Sequence, residues 1–199
     1  LVDDISKVFI KFLNKEIKYI PWCDNLAYET ETIKDKLIEL NKLNYLTINS
    51  QPKLNAMPSD WKDGWGGPGG YLYQKAYLEF FTTKENLGKL IEKIGNNINY
   101  SYCAININDN IITNCSNTIN AITWGIFINK QVIQPTVADT NSFKIWKKDA
   151  FNLWLTEWAN IYDKESSSYS LLKHIHDTYY LVFIVDNDYI NGDIWSLFT

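Results

Sequence analysis

Polar side chains at the expected ends of strands and helices are the residues whose types could bind a small molecule. They combine one carboxylate with several hydroxyls and amides and few cations. A ligand with a ribose, an amino-acid head and a positively charged sulfur would suit such a set. Each residue also has an ordinary alternative role as a helix cap or a sheet residue. The set comprises Glu29, Thr30, polar residues of the segment Thr47 to Gln51, Thr123 and Thr136.

A glycine-rich stretch raises the alternative of a phosphate-binding loop, because glycine amides can cradle oxyanions. The stretch reads Gly64-Trp65-Gly66-Gly67-Pro68-Gly69-Gly70. No Gly-Lys-Ser/Thr follows it, no dinucleotide-binding spacing fits it, and Pro68 lacks an amide hydrogen that the cradle would need. The pattern favours a structural turn.

The histidines and cysteines do not form a recognisable reactive group. His174 and His176 are the only histidines, and no cysteine pair lies at metal-ligand spacing, so we predict no metal site. No nucleophile motif is present, and we predict no catalytic residue. Three cysteines without paired spacing, Cys23, Cys103 and Cys115, indicate a reducing compartment, most simply the cytoplasm.

Composition narrows the function classes further. The 199 residues include 19 basic residues, all of them lysine, and the net charge is −4. Nucleic-acid binding is disfavoured, because counterion release needs a basic surface that this sequence does not display. No apolar run approaches the roughly 20 residues that span a bilayer. A hydrophobic content of 46% is typical of a folded domain.

Periodicity predicts a single α+β domain with mixed β-sheets flanked by helices, and neither a TIM barrel nor a Rossmann fold. Thr30 or Thr32 is the expected N-cap of the second helix, a capping box at residues 82–85 should start the fourth, and Gly95 should end it. Residues 49–70 should form a long loop. The predicted helices cover residues 2–13, 30–40, 71–81, 84–94, 142–161 and 168–176, and the predicted strands cover residues 45–48, 99–106, 121–128, 131–136 and 179–185.

Several long blocks, in order, resemble the regulatory domain of eukaryotic methylenetetrahydrofolate reductases. Ordered blocks of this length are far more specific than one short motif. They include Pro21-Trp22-Cys23-Asp24, Leu26-Ala27-Tyr28-Glu29-Thr30, Thr47-Ile48-Asn49-Ser50-Gln51-Pro52, Gln74-Lys75-Ala76-Tyr77-Leu78-Glu79-Phe80-Phe81, Asn120-Ala121-Ile122-Thr123-Trp124-Gly125, Ile133-Gln134-Pro135-Thr136 and Val185-Asp186-Asn187-Asp188.

The resemblance implies a domain that binds S-adenosylmethionine, or S-adenosylhomocysteine, and inhibits an attached catalytic barrel. That barrel would reduce methylenetetrahydrofolate with FAD and NAD(P)H and would lie in cis, outside this chain. The domain is expected to cover residues 21–199, and residues 1–20 form a weakly matching N-terminal segment. The domain is also expected to form a homodimer. Carried over, the effector site would comprise Ala27, Tyr28, Glu29, Thr30, Thr47, Ile48, Asn49, Ser50, Gln51, Thr123 and Thr136, with Cys23 nearby.

Two rival hypotheses come from other classes. Cys23 and Tyr28 depart from the animal pattern, so the chain could instead be a dimerisation or scaffold module that keeps the fold without the ligand. An independent methyltransferase is disfavoured, because no glycine-rich strand-to-helix turn followed by a ribose-binding acid is present.

Overall fold

The computed structural model describes residues 2–18, 25–59, 70–106, 111–115, 126–128, 131–133, 174–175, 177–188 and 191–199. Helices and strands mix along the chain, which confirms the α+β class. The elements are, in order, α1 (Val2–Leu13), α2 (Tyr28–Glu31), α3 (Lys34–Lys42), β1 (Leu46–Gln51), β2 (Leu54–Ser59), β3 (Gly70–Gln74), β4 (Tyr77–Thr82), α4 (Lys84–Ile94), β5 (Tyr100–Asn106), β6 (Ile111–Cys115), β7 (Ile126–Ile128), β8 (Gln131–Ile133), β9 (Tyr180–Asp186) and a 3₁₀ helix, η1 (Ile194–Phe198).

The main sheet has five strands in the order β1-β4-β9-β5-β6. All four neighbouring pairs are antiparallel. Strand β9, near the end of the chain, therefore lies in the middle of the sheet. Two smaller antiparallel pairs, β2-β3 and β7-β8, complete the described strands, and β3 lies against β7.

The central strands are buried on both faces. Six of the seven residues of β9 are buried, and every residue of β4 is buried. A strand covered on both sides has a continuous apolar sequence rather than an alternating one. This explains why residues 179–185 could be predicted as a buried strand, a prediction that β9 confirms.

One face of the sheet packs against α1, α3, α4 and η1. Each large apolar side chain buried there contributes about 1.5–3 kcal/mol to folding. Tyr45, Phe80 and Phe198 meet edge to face, with ring centroids 5.0–5.8 Å apart, and join η1 to the sheet. The core also includes Leu13, Ile33, Leu37, Leu40, Leu78, Leu87, Leu90, Ile94, Tyr102, Ala104, Val182, Ile184, Ile194 and Leu197.

Helix α4 shows how local sequence sets its two ends. The side chain of its N-cap, Thr83, accepts a hydrogen bond from the Asn86 amide at 3.3 Å. The helix ends at Gly95, which has φ of +50° and confirms the predicted stop. The predicted capping box was wrong by one position, because Thr82 is the fully buried last residue of β4.

The predicted helix over residues 71–81 was wrong. This segment forms the end of β3, a two-residue connection and most of β4. Its aromatic and aliphatic residues lie at spacings that fit either a helix or a doubly buried strand, and periodicity alone cannot separate these two.

The second helix was also predicted imperfectly. It is split into α2 and α3, and the N-cap of α3 is Ile33, without a side-chain hydrogen bond. Thr30 lies inside α2, and the Thr32 hydroxyl donates to the carbonyl of Glu29 at 2.7 Å. Neither threonine therefore caps α3.

Strands β2 and β6 were missed by the sequence prediction. Part of the expected loop, residues 49–70, belongs to β1, β2 and β3, and β6 lies between the predicted strands at 99–106 and 121–128. Residues 60–69, 107–110, 116–125, 129–130 and 134–173 lie outside the described part. The predicted helix at 142–161 and most of the glycine-rich stretch fall there.

Candidate functional site

Strand β1, which carries five of the predicted effector residues, lies at one edge of the main sheet. Within the described strands its only partner is β4. A bulge between Thr47 and Asn49 interrupts the pairing register. Edge strands present backbone donors and acceptors on their outer side, and a bulge redirects the side chains that follow it.

The bulge divides the predicted residues between the two faces of the sheet. Thr47 and Ser50 lie opposite Phe80 and Leu78, two residues of the helix-side core. Directly opposed residues in an antiparallel pair share a face. Thr47 and Ser50 therefore belong to the face that packs against the helices.

The two amides of β1 lie on the other face. Asn49 is opposite Glu79, and Gln51 is opposite Tyr77. Asn49 is exposed, whereas Gln51 is partly buried and donates from Nε2 to the carbonyl of Lys75 at 2.9 Å. Polar side chains of β1 that are not fully buried thus occur on both faces of the sheet: Ser50 on the helix side, and Asn49 and Gln51 on the other.

Thr47 takes part in a buried network that joins α3 to β1. Its hydroxyl accepts from Asn41 Nδ2 at 2.7 Å, and its amide donates to Asn41 Oδ1 at 3.3 Å. Asn41 is fully buried, and its carbonyl accepts from the hydroxyl of Ser6, on α1, at 2.6 Å. The hydroxyl of Thr47 therefore has a structural role, whatever else it binds.

Helix α2 brings a second group of predicted residues to β1, which it contacts. Thr30 is buried, Glu29 is partly exposed, and Tyr28 is 86% exposed. Ala27, the N-cap of α2, is exposed as well. Because both elements pack together, the backbone segments that carry Glu29, Thr30 and Ser50 lie in one region of the molecule.

A cavity of about 440 Å³ opens beside this region. Its volume falls within the range of small-molecule pockets, roughly 300–1,000 Å³. Lys15, on its wall, forms an ion pair with Glu31 of α2, which connects the cavity to the predicted effector segment. The lining residues are Phe12, Lys15, Ile17, Lys18, Asn25 and Leu26.

Charged side chains cluster at the end of the sheet where both β1 and β9 have their last residues. Lys75 is buried, and this burial lowers its pKa despite the attraction of Asp186. Asp186 is fully buried, and burial raises the pKa of its carboxyl. Its Oδ1 accepts from the amide of Asp188 at 3.0 Å. Lys53, two residues after β1, donates to the carbonyl of Gly192.

A buried polar pair on β4 was missed by the sequence prediction. Tyr77 Oη donates to Glu79 Oε2 at 2.7 Å, and Glu79 is fully buried. Burial raises the pKa of Tyr77 well above its ordinary value, and the charge and hydrogen bond of Glu79 raise it further. The signal in the sequence was a carboxylate within an apolar run. This pattern also fits the polar face of a helix, and the segment was predicted as one.

The remaining predicted residues, Cys23, Thr123 and Thr136, lie outside the described part of the chain. Strand β7 begins three residues after Thr123, and β8 ends three residues before Thr136. The effector site as a whole stays a prediction.

Two other sequence-based expectations concern metals and membranes. Across the described ranges, no cluster of three or more His, Cys, Asp or Glu side chains is arranged to hold a metal ion. In the same ranges, no helix has the length and apolar character needed to cross a bilayer. His174 is exposed, and its ring meets that of Tyr179 edge to face.

Comparison with known proteins gives the family. A family model described as MTHFR, SAM-binding regulatory domain matches residues 5–198. The chain is 46% identical to methylenetetrahydrofolate reductase (NADH) 1 of Arabidopsis thaliana and 47% identical to that of Zea mays, with 99% of this chain covered in both cases. It is 40% identical to a probable methylenetetrahydrofolate reductase (NADPH) of Caenorhabditis elegans, over 94% of the chain.

The fold defines a small α+β domain with a polar edge, and the family match specifies its kind. The chain belongs to the S-adenosylmethionine-binding regulatory domain family of methylenetetrahydrofolate reductases. It spans about a third of the length of its curated relatives, 34% for the two plant proteins and 30% for the nematode protein.

Proposed function

We propose that this chain is an allosteric regulatory domain that binds S-adenosylmethionine as a feedback inhibitor of a methylenetetrahydrofolate reductase. The observation that carries the proposal is the family match over residues 5–198. The packing of α2 against edge strand β1 supports it, because this packing brings together two predicted segments that α3 separates in the sequence.

The effector would lie along β1 and α2. Glu29 would complement the positive charge of the ligand, and Ser50 and Thr30 would hydrogen-bond to its amino-acid or ribose groups. Thr123 and Thr136 would complete the site from the segments that flank β7 and β8. A site with one carboxylate and several hydroxyls suits a ligand that carries a sulfonium, a ribose and an amino-acid head.

The catalytic reaction would belong to another part of a longer protein. In this proposal a catalytic domain in cis holds FAD and NAD(P)H and reduces 5,10-methylenetetrahydrofolate to 5-methyltetrahydrofolate, as part of one-carbon metabolism in the cytoplasm. The described chain itself would not be an enzyme. The match to only about a third of the length of the plant reductases supports this division.

Inhibition would follow from differential affinity. S-adenosylmethionine would bind the inhibited arrangement more tightly than the active one, and the effect on the reductase can be no larger than that difference. Couplings of this kind are typically about 1–3 kcal/mol. Homodimerisation through this domain is part of the same proposal.

The alternative function is a dimerisation or scaffold module that has lost the ligand, and the exposed Tyr28 in the effector segment is the observation that favours it. The variants Glu29→Ala and Thr136→Val separate the two. A sensor should lose S-adenosylmethionine binding in equilibrium dialysis while keeping its circular dichroism spectrum. A scaffold should sediment as an oligomer and bind no ligand before or after either substitution.

A further inference from the structure

Two of the cysteines occupy opposite positions on neighbouring strands of the main sheet. In the antiparallel pairing of β5 with β6, Cys103 lies directly opposite Cys115. Strand register brings the two residues together, and no short cysteine motif does so, which is why their spacing in the sequence gave no sign of a pair.

The backbone geometry of such a pair is compatible with a disulfide bond. Opposed residues of antiparallel strands have Cα atoms about 5.5 Å apart in a hydrogen-bonded pair and about 4.5 Å apart in the other kind of pair. A disulfide needs a Cα separation of about 4.4–6.8 Å, and both values lie within that range. The Cβ atoms, about 4.5–5.5 Å apart, would have to approach by roughly 1 Å. The strands therefore need neither to slide nor to separate for a bond to form.

The surroundings of Cys103 protect it from reagents in solution. Its neighbours Tyr102 and Ala104 belong to the helix-side core, so Cys103 lies on the other face of the sheet, opposite Phe183 of β9. Cys103 is fully buried. A thiol in this position is suited to react with a sulfur atom on the adjacent strand rather than with a bulky external molecule.

Cys115 belongs to a strand that can open more easily. Within the described strands, β6 lies at the edge of the sheet and pairs only with β5. A register shift between Ala104 and Ile105 interrupts that pairing next to the cysteines. An edge strand with an interrupted ladder opens locally at a lower cost than a central strand. When β6 opens, Cys115 moves with it, whereas β9 still holds the strand of Cys103.

We propose that Cys103 and Cys115 form a reversible dithiol–disulfide site that reacts with low-molecular-weight disulfides of the glutathione class. The Cys115 thiolate attacks one sulfur of the small disulfide, whose S–S bond breaks and releases one small thiolate. The Cys103 thiolate then attacks the Cys115 sulfur of this mixed disulfide and releases the second small thiolate. The two cysteines lose two protons and two electrons, and the small disulfide is reduced to two thiols.

Such a site fits the reducing compartment that the cysteine content indicates. Disulfides in these compartments are usually transient and catalytic or redox-sensing. The bond would tie edge strand β6 to β5 when the thiol pool becomes oxidised. The site is independent of the proposed effector binding, and neither proposal fails with the other.

The test is disulfide mapping of the folded chain in mixtures of reduced and oxidised glutathione. After an acid quench and alkylation, mass spectrometry of non-reduced peptides should show Cys103 linked to Cys115. The linked fraction should rise with the share of oxidised glutathione and vanish when a reductant is added. Separate alkylation of the two cysteines in every mixture would overturn the proposal, and so would a predominant bond from either of them to Cys23.

Single substitutions test the order of attack. Cys23→Ser is the matched control and should leave the linked fraction unchanged in every mixture. Cys103→Ala should trap Cys115 as a mixed disulfide with glutathione, because the second thiolate is missing. Cys115→Ser should leave Cys103 unmodified. If Cys103 in that variant reacts with glutathione disulfide as fast as Cys115 does in Cys103→Ala, the proposed order is wrong.

Discussion

The side-chain amide of Asn41 donates to the hydroxyl of Thr47 across 2.7 Å and so fixes helix α3 to the edge strand β1. Both residues are buried. The predicted effector residues of β1 directly follow Thr47 in the sequence. The position of the predicted site therefore depends on this contact.

Thr47→Val should therefore destabilise the domain. The substitution keeps the shape of the side chain and its strand preference, but it removes the acceptor for a buried amide, at a cost of about 1–2 kcal/mol. The free energy of unfolding in urea measures the loss. Thr199→Val, at the exposed end of the chain, where the hydroxyl donates to Ser196, should change stability by less than about 0.5 kcal/mol. Equal losses in the two variants would refute the structural role of Thr47.

Gly192→Ala should be strongly destabilising, because the carboxylate of Asp186 occupies the space that a Cβ would need. An added Cβ would lie 2.0 Å from Oδ2 and 2.1 Å from Oδ1. The buried carboxylate would have to move, and a cost of about 1–3 kcal/mol is expected from such overpacking. Thermal unfolding of the purified variant measures this change.

Gly88→Ala is the matched control for that substitution. Gly88 lies within α4 and has no atom within 4 Å of the position of an added Cβ. Alanine is the better helix former, so this variant should gain about 0.5–1 kcal/mol. If both variants change stability in the same direction, the steric explanation for Gly192 is wrong.

Asp186 should make stability depend on pH in a defined direction. Burial raises its pKa in the folded chain above the ordinary value of 3.8. The folded state then holds the proton more tightly, so the contribution of this group is complete below pH 3.8 and is lost as the pH rises through the raised pKa.

Asp186→Asn removes this titration and still offers an oxygen to the amide of Asp188. The free energy of unfolding of wild type minus that of the variant should therefore fall as the pH rises from about 4 to 7. Urea unfolding at several pH values measures the difference. A difference that grows with pH would show that the carboxylate is stabilised by its surroundings rather than penalised by burial.

Tyr28 should contribute little to folding, because 86% of its surface is exposed. Tyr28→Ala should leave the free energy of unfolding within about 0.5 kcal/mol of wild type. If the added bulk limits access to the effector segment, the same variant should bind S-adenosylmethionine more tightly. Unfolding in urea and calorimetric titration test these two expectations separately, and weaker binding would show that the ring contacts the ligand instead.

Residues with strong local signals were predictable from the sequence. Helix α1, the stop at Gly95 and strand β9 follow from spacing, glycine geometry and a bounded apolar run. The segment around Tyr77 was not predictable in this way. Its burial on both faces gives an unbroken apolar pattern, and the break at Lys75 and Ala76 has neither a glycine nor a proline to mark it.

The candidate site shows a similar division. The blocks around Glu29 and Ser50 could be selected because they match the pattern of a family, whereas composition alone left them as caps or sheet residues. The positions of Glu79 and Tyr77 opposite Asn49 and Gln51 could not be predicted, because they follow from strand register. Strand register depends on contacts between distant segments, and local sequence does not encode it directly.

Binding of S-adenosylmethionine by this chain is measured directly by calorimetric titration of the purified, folded chain. We expect saturable heat at about one ligand per chain, and a dissociation constant about three- to tenfold higher in Ser50→Ala, which removes a single hydroxyl. Absence of saturable heat with both S-adenosylmethionine and S-adenosylhomocysteine, from a sample with a native circular dichroism spectrum, would contradict the proposed function.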